Sequence, residues 1–183
     1  MAILDIKDNK SLINAAKVLK SNGILVFPTD TVYGIGCTLS SKAILKLYNI
    51  KKRSIGKPTA ILITPKIYNG KDLEKVLKQY PKGKITVVTD VKNLDFDVPP
   101  ILLKDNKVGI RFPNYPWLEE LIDLAGPIAA TSANFEDEPV PKTYDEIDTD
   151  LINKSNLTIR TDEKLSGKPS TVVDIEKDEI IRK

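Results

Sequence analysis

Ile24-Leu-Val-Phe-Pro-Thr-Asp-Thr-Val-Tyr-Gly-Ile-Gly36 is the stretch on which the fold turns. Ile24 to Phe27 is an apolar run with the length and composition of a buried strand. Pro28 offers no N–H to a ladder, and a hydroxyl-rich, Gly-punctuated loop is predicted to follow. In open α/β sheets ligands sit in the crevice at the carboxyl ends of strands. Thr29, Asp30, Thr31, Tyr33, Gly34 and Gly36 therefore read either as the edge of a binding site, or as a tight turn in which Asp30 and the glycines serve backbone geometry.

Outside that stretch, the 183 residues are 41% hydrophobic and 29% charged, which suits one domain spanning 1–183 with its own core. No apolar run reaches the ~18 residues of a membrane span, and the N-terminus lacks the layout of a signal peptide. Cys37 stands alone, so neither a disulfide framework nor a Cys-based zinc site is expected within the chain. These features point to a cytoplasmic protein with no membrane partner. The chain has no histidine, which removes Ser-His and Cys-His nucleophiles, His-ligated metals and imidazole acid–base chemistry. A net charge of +3 suits a local anion-binding patch and does not by itself indicate nucleic acid.

Taken in order, residues 9–21 are predicted as a helix with Leu12, Ile13, Ala16, Val18 and Leu19 inward, Ser11 as cap and Gly23 as stop. Ser40 or Ser41 caps a second helix carrying Ile44, Leu47 and Tyr48. Strands are expected at 59–64 and 84–89, and a helix at 71–79 with Leu73, Val76 and Leu77 inward. Further strands are expected at 101–103 and 108–112, joined through Asp105-Asn106. Asn114 is read as the cap of a helix to about Ala125, with Trp117 and Leu121 in the core, and a buried strand follows at 128–130. Tyr144 to Lys154 reads as helical, and 157–160, 171–175 and 179–182 as strands. The whole is a mixed α/β domain with more strands than helices.

Loops of one chemical type recur at Thr29–Thr31, Thr131–Asn134 and around Ser170-Thr171. Hydroxyls and amides without a base are weak nucleophiles but good neutral ligands for phosphate, carboxylate or hydroxyl groups. Lys51, Lys52, Arg53 and Lys57 form a basic segment closed by Gly56 and Pro58, fit either to favour a helix C-terminus or to clamp a triphosphate. Arg111 alternates with Ile110 and Phe112, facing either solvent or a site. No Walker loop or Gly-x-Gly-x-x-Gly is present. From the residues alone the destination is an anionic small-molecule or nucleotide pocket.

Pro28-Thr-Asp-Thr-Val-Tyr-Gly-Ile-Gly36 resembles the opening signature of the YrdC-like family, the threonylcarbamoyl-AMP synthases. Ile50-Lys-Lys-Arg53 with Lys57-Pro58, Val108-Gly-Ile-Arg-Phe-Pro113, Ala130-Thr-Ser-Ala-Asn134 and Pro169-Ser-Thr-Val-Val-Asp174 resemble its later segments in the same order. The resemblance, to a short single-domain member, implies an open twisted mixed sheet flanked by helices with a concave, positively charged pocket. It implies reaction of L-threonine, bicarbonate and ATP to threonylcarbamoyl-adenylate and pyrophosphate, for modification of tRNA beside the anticodon. Such chemistry rests on positioning and charge neutralisation, which a chain without histidine can supply.

Carried across, Lys51 and Arg53 are the expected catalytic and ATP-binding cations. Thr31, Tyr33, Arg111, Thr131 and Ser170 are expected at threonine, with Tyr33 on the pocket wall. Lys57, Ser132, Asn134 and Arg182 are expected at ATP. Magnesium is expected with the nucleotide, held by phosphates and water and by no protein metal site. Transient contact with tRNA or with the threonylcarbamoyl transferase complex is implied. The alternative is an RNA-binding paralogue with weak or no synthase activity. Two departures stand out: Tyr80-Pro-Lys-Gly-Lys-Ile-Thr86 is a loose form of a Pro-Gly-Pro-x-Thr segment, and Phe135-Glu136-Asp137 replaces a small Ser-Gly pair.

Overall fold

The computed structural model describes residues 2–57, 59–68, 70, 73–177 and 179–182, with the backbone alone for residues 73 and 76. The expected contributions of Pro58 and Lys71, and the inward side chains of Leu73 and Val76, lie outside what is described. The chain runs β1 (Ala2–Asp5), α1 (Ser11–Lys20), β2 (Leu25–Pro28), β3 (Tyr33–Thr38), α2 (Ser41–Ile50), β4 (Ala60–Leu62) and α3 (Leu73–Gln79). It continues through β5 (Ile85–Asp90), β6 (Lys107–Arg111), α4 (Pro116–Ala125), β7 (Ile128–Ser132), α5 (Thr149–Lys154), β8 (Leu157–Arg160), β9 (Thr171–Asp174) and β10 (Glu179–Arg182). Among the described residues all the strands join one mixed sheet in the order β1-β8-β2-β3-β7-β4-β6-β5-β9-β10.

Side chains alternate across this sheet as a period of two demands. Leu25, Phe27, Leu62 and Ile128 pack on one face with Ala15 and Leu19 of α1 and Leu118, Leu121 and Ile122 of α4. Val26, Tyr33, Ile35, Ile61 and Ile110 pack on the other with Ile44, Leu47 and Tyr48 of α2, and Leu77 of α3 lies against this second cluster. Both faces of β2 and β3 are therefore buried, which is why β2 reads as a continuous apolar run. No helix among the described residues is long and apolar enough to cross a membrane.

Several expectations are corrected. The loop after Pro28 is confined to residues 29–32, and Tyr33–Thr38 is a strand antiparallel to β2, with Leu25 opposite Gly36 and Pro28 opposite Tyr33. Gly36 inside it answers close approach: a Cβ there would lie 2.7 Å from the carbonyl oxygen of Ala129 on β7. Residues 101–103 are not a strand; Pro99 and Pro100 turn the chain into a 3₁₀ segment at Pro100–Leu102. Asp105 and Asn106, with φ of 53° and 60°, still make the turn into β6. Ser11 does not cap α1. Its hydroxyl donates to the Ile6 carbonyl and accepts from the Trp117 indole, tying α1 to α4, while Ile13 is exposed and Ala15 takes its place in the core. Tyr115, not Asn114, precedes α4, with no side-chain cap. Ser40 does cap α2, accepting from Ala43 N–H. Residues 144–154 divide into a 3₁₀ turn and α5, capped by Asp148. The unanticipated β1 pairs in parallel with β8.

Candidate functional site

A pocket of about 760 Å³ opens over the β3-β7-β4-β6-β5-β9 part of the sheet. Its floor is low because Gly34, Gly109, Ala60 and Ala130 put little or no side chain on that face. Three features of local folding aim polar groups into it.

The first is the hairpin between β2 and β3. Thr29 Oγ1 accepts from the backbone N–H groups of Thr31 and Val32 and donates to the Val32 carbonyl, so the hydroxyl closes the turn itself. Thr31 is buried beside it, its hydroxyl 3.1 Å from that of Thr29 and accepting from Arg111 Nη2 at 2.7 Å. Asp30 therefore does not make the turn, as one reading of the sequence had it. Its carboxylate accepts from Arg111 Nη2, with both oxygens at 3.0 Å.

The second is the end of α2. Lys52 N–H donates to the Asn49 carbonyl and Arg53 N–H to the Tyr48 carbonyl, around Lys52 in the left-handed region at φ 50°. This Schellman arrangement reverses the chain. Lys51 is thereby turned under the sheet, only 4% exposed, where its ammonium donates to the Ser132 carbonyl at the end of β7. Burial, and secondarily Arg53, lowers its pKa to about 7. Arg53 emerges on the pocket wall, its pKa also lowered by burial. The Tyr48 hydroxyl meets the Thr59 hydroxyl at 3.0 Å and pins the far side of the loop.

The third is the pairing of β5 with β6 and β9. Thr86 stands opposite Arg111 and Val172, and its hydroxyl is 2.7 Å from that of Ser170, with both residues buried. Arg182 Nη2 donates to the Ser170 carbonyl and closes the pocket from β10.

Of the expected site residues, Thr31, Arg53, Lys57, Arg111, Thr131, Ser132, Ser170 and Arg182 line this one pocket. Thr131 pairs with Ile35 and so shares the face of the opposite core cluster. Lys51 does not line the pocket; its ammonium reaches the Ser132 carbonyl from behind the wall. Two more residues are not brought in. Tyr33, expected on the wall, is fully buried on the other face, its hydroxyl accepting from Thr161 N–H at 2.9 Å; desolvation raises its pKa. The Asn134 amide donates to the Glu138 carbonyl and shapes the neighbouring loop. Glu136, one of the acids that depart from the family pattern, pairs with Lys57, while the Lys52 ammonium lies 5.3 Å from the Phe135 ring centre. Thr86, whose segment only loosely resembles the family's Pro-Gly-Pro-x-Thr and carries no role on that resemblance, lies in the pocket lining. So does Lys107, which the sequence does not single out and which pairs with Asp174 and Glu176 at the far end. Thr86 sits in a plain alternating strand, and beyond that loose resemblance its pairing with residues far along the chain is what marks it.

Hydroxyls, three arginines and a basic loop converge on one concavity of a mixed α/β sheet, a lining whose chemistry suits a small anionic molecule. The chain belongs to the Sua5/YciO/YrdC family: the family profile, described as "Telomere recombination", matches residues 17–183. A putative threonylcarbamoyl-AMP synthase of Methanocaldococcus jannaschii is 34% identical over 97% of this chain and 87% of its own length. The human threonylcarbamoyl-AMP synthase is 30% identical over 91% of this chain, which spans 63% of that protein. Among solved structures, Pyrococcus abyssi Sua5 complexed with L-threonine superposes with a TM-score of 0.83 at 26% identity, covering 96% of this chain and 55% of that one. This chain thus spans little more than half of the longer relatives.

Proposed function

We propose that the protein is an L-threonylcarbamoyladenylate synthase serving the threonylcarbamoyladenosine modification of tRNA. The observation that carries this reading is the convergence of four sequence-distant segments, and the hairpin before them, on one pocket whose lining holds more cations than carboxylates. The threonine amine takes up bicarbonate with loss of water to give a carbamate. A carbamate oxygen then attacks the α-phosphorus of ATP, and pyrophosphate leaves. Neither step calls for a strong enzyme base. Thr31, Thr86 and Ser170 offer hydroxyls for the amino acid, and Arg111 an N–H for its carboxylate. Arg53, Lys57 and Arg182 meet the phosphates, and Ser132 the region of the reacting phosphorus. Transient contact with tRNA or the threonylcarbamoyl transferase complex belongs to the same reading.

Magnesium, on this reading, arrives with the nucleotide and neutralises phosphate charge. Asp174, the carboxylate deepest in the lining, is engaged by Lys107, and no group of three His, Cys, Asp or Glu side chains stands together among the described residues. The donor set fits an ion held through phosphates and water.

Incubating the purified protein with L-threonine, bicarbonate, magnesium and ATP is expected to release pyrophosphate only when threonine is present. Threonine-independent release, or none, would sink the reading. The Lys57–Glu136 pair yields a further expectation. Both side chains are 43% exposed, so the pair adds at most about 1 kcal/mol to stability. Glu136 nevertheless occupies a cation assigned to the phosphates. Glu136→Gln is expected to lower the KM for ATP about threefold at low salt, with an unchanged Tm and an effect that fades as salt screens the pair. An unchanged KM would show that Lys57 does not meet the nucleotide.

A further inference from the structure

Asp30 has no part in closing its own turn, because Thr29 supplies every hydrogen bond a turn-forming side chain would make there. Its carboxylate contacts run to one group 81 residues away, Arg111 Nη2. That nitrogen also meets the Thr31 hydroxyl at 2.7 Å and the Gly83 carbonyl at 3.3 Å. The guanidinium is thus anchored through a single nitrogen. Nε is buried with no hydrogen-bond partner among the described residues, and no hydrogen bond is made there by Nη1. Both side chains are nearly buried, Arg111 at 11% and Asp30 at 13% exposure, so the pair is held in one geometry and poorly screened. The turn on the other side is shaped to admit the carboxylate. Gly83 has φ +81°, and a Cβ there would stand 2.4 Å from Asp30 Oδ2.

We infer that Asp30 is a positioning residue: it clamps Arg111 through Nη2 so that the remaining N–H groups are presented to a substrate carboxylate. This rests on the proposed threonine site. Because Asp30 offsets the charge of Arg111, this arginine distinguishes a carboxylate by directed hydrogen bonds and not by its net charge. A loosened arginine would keep its charge and lose that direction.

Calorimetric titration of the whole protein with L-threonine and with L-threoninamide, which lacks the carboxylate, tests this. The wild type is expected to prefer L-threonine, and Asp30→Asn to reduce that preference at least tenfold while leaving affinity for ATP with magnesium unchanged. Gly83→Ala, which pushes into the carboxylate without removing it, is expected to reduce the preference in the same direction and serves if Asp30→Asn does not fold. Equal weakening of both amino-acid ligands, or an unchanged preference, would overturn the positioning role alone. Failure of the wild type to bind either compound would overturn the threonine site itself, and the inference with it.

Discussion

Lys51→Met is expected to cut threonine-dependent pyrophosphate release at least a hundredfold and yet leave a fold that gains on the wild type as pH falls. The loss of turnover follows from position. The Lys51 ammonium holds the Ser132 carbonyl from behind the wall, Ser132 lines the pocket, and displacement of a positioning group by about 1 Å costs on the order of 10²-fold. The stability effect follows from protonation. The Lys51 amine titrates near 10.5 when solvated and near 7 in the fold, chiefly through burial. Between those values the unfolded chain binds a proton that the folded chain does not, so stability rises with pH, by at most ~1.4 kcal/mol per unit. Below about pH 7 both states are protonated and the full desolvation cost remains. The hydrogen bond to Ser132 favours the charged amine and shallows this slope. Methionine has no proton to bind. Urea denaturation at pH 6.5, 8 and 9.5 should show the stability of Lys51→Met relative to wild type declining as pH rises, by ~0.5–1 kcal/mol per unit. A difference independent of pH would mean that Lys51 stays fully charged in the fold.

Nothing in the sequence separates Lys51 from Arg53. Lys51-Lys-Arg53 is legible as a basic cluster, but a helix C-terminus alone explains such a cluster. What separates buried Lys51 from pocket-facing Arg53 is the left-handed Lys52 between them, a conformation that composition would assign to glycine or asparagine. The same limit applies to Asp30, whose partner lies 81 residues away, and to Thr86, whose partner Ser170 lies 84 away. Short-range patterns served well where burial imposes a period. β2, β5, α2 and the face of α4 follow from apolar spacing because each buries a continuous stripe. They failed where a polar side chain had a tertiary use. Ser11, well placed to cap, is instead held between Ile6 and Trp117. β3 was hidden because Gly34 and Gly36 weaken any strand pattern, and the compensating closeness of β7 is invisible in the chain.

Gly36→Val is accordingly expected to be among the most damaging single changes in the molecule. Gly36 stands between Leu25 of β2 and Ala130 of β7. A Cβ there would lie 2.7 Å from the Ala129 carbonyl oxygen, 3.0 Å from Ile128 Cγ2 and 3.1 Å from Ala130 Cβ. The first is backbone inside a ladder and cannot swing aside, so β3 and β7 must part. Overpacking of this kind costs ~1–3 kcal/mol, and the two further methyls of valine place the change at the upper end, near ~3 kcal/mol. For a chain of this size that lowers Tm by roughly 6–12 °C. Gly34→Ala is the internal control. Its Cβ would meet nothing nearer than the Phe27 ring edge at 3.3 Å, with a Thr29 methyl at 3.5 Å, and a ring can yield by a few tenths of an ångström, so a loss under ~1 kcal/mol is expected. If calorimetry finds the two variants equally stable, the closeness of β3 to β7 is not what requires glycine at 36. If Gly36→Val alone falls, the damage should extend to chemistry. β7 ends in Ser132, held from below by Lys51, so moving β7 shifts both the pocket wall and its support. The surviving folded fraction would then show a raised KM for ATP, coupling the spacing of two buried strands to the geometry of the site they carry.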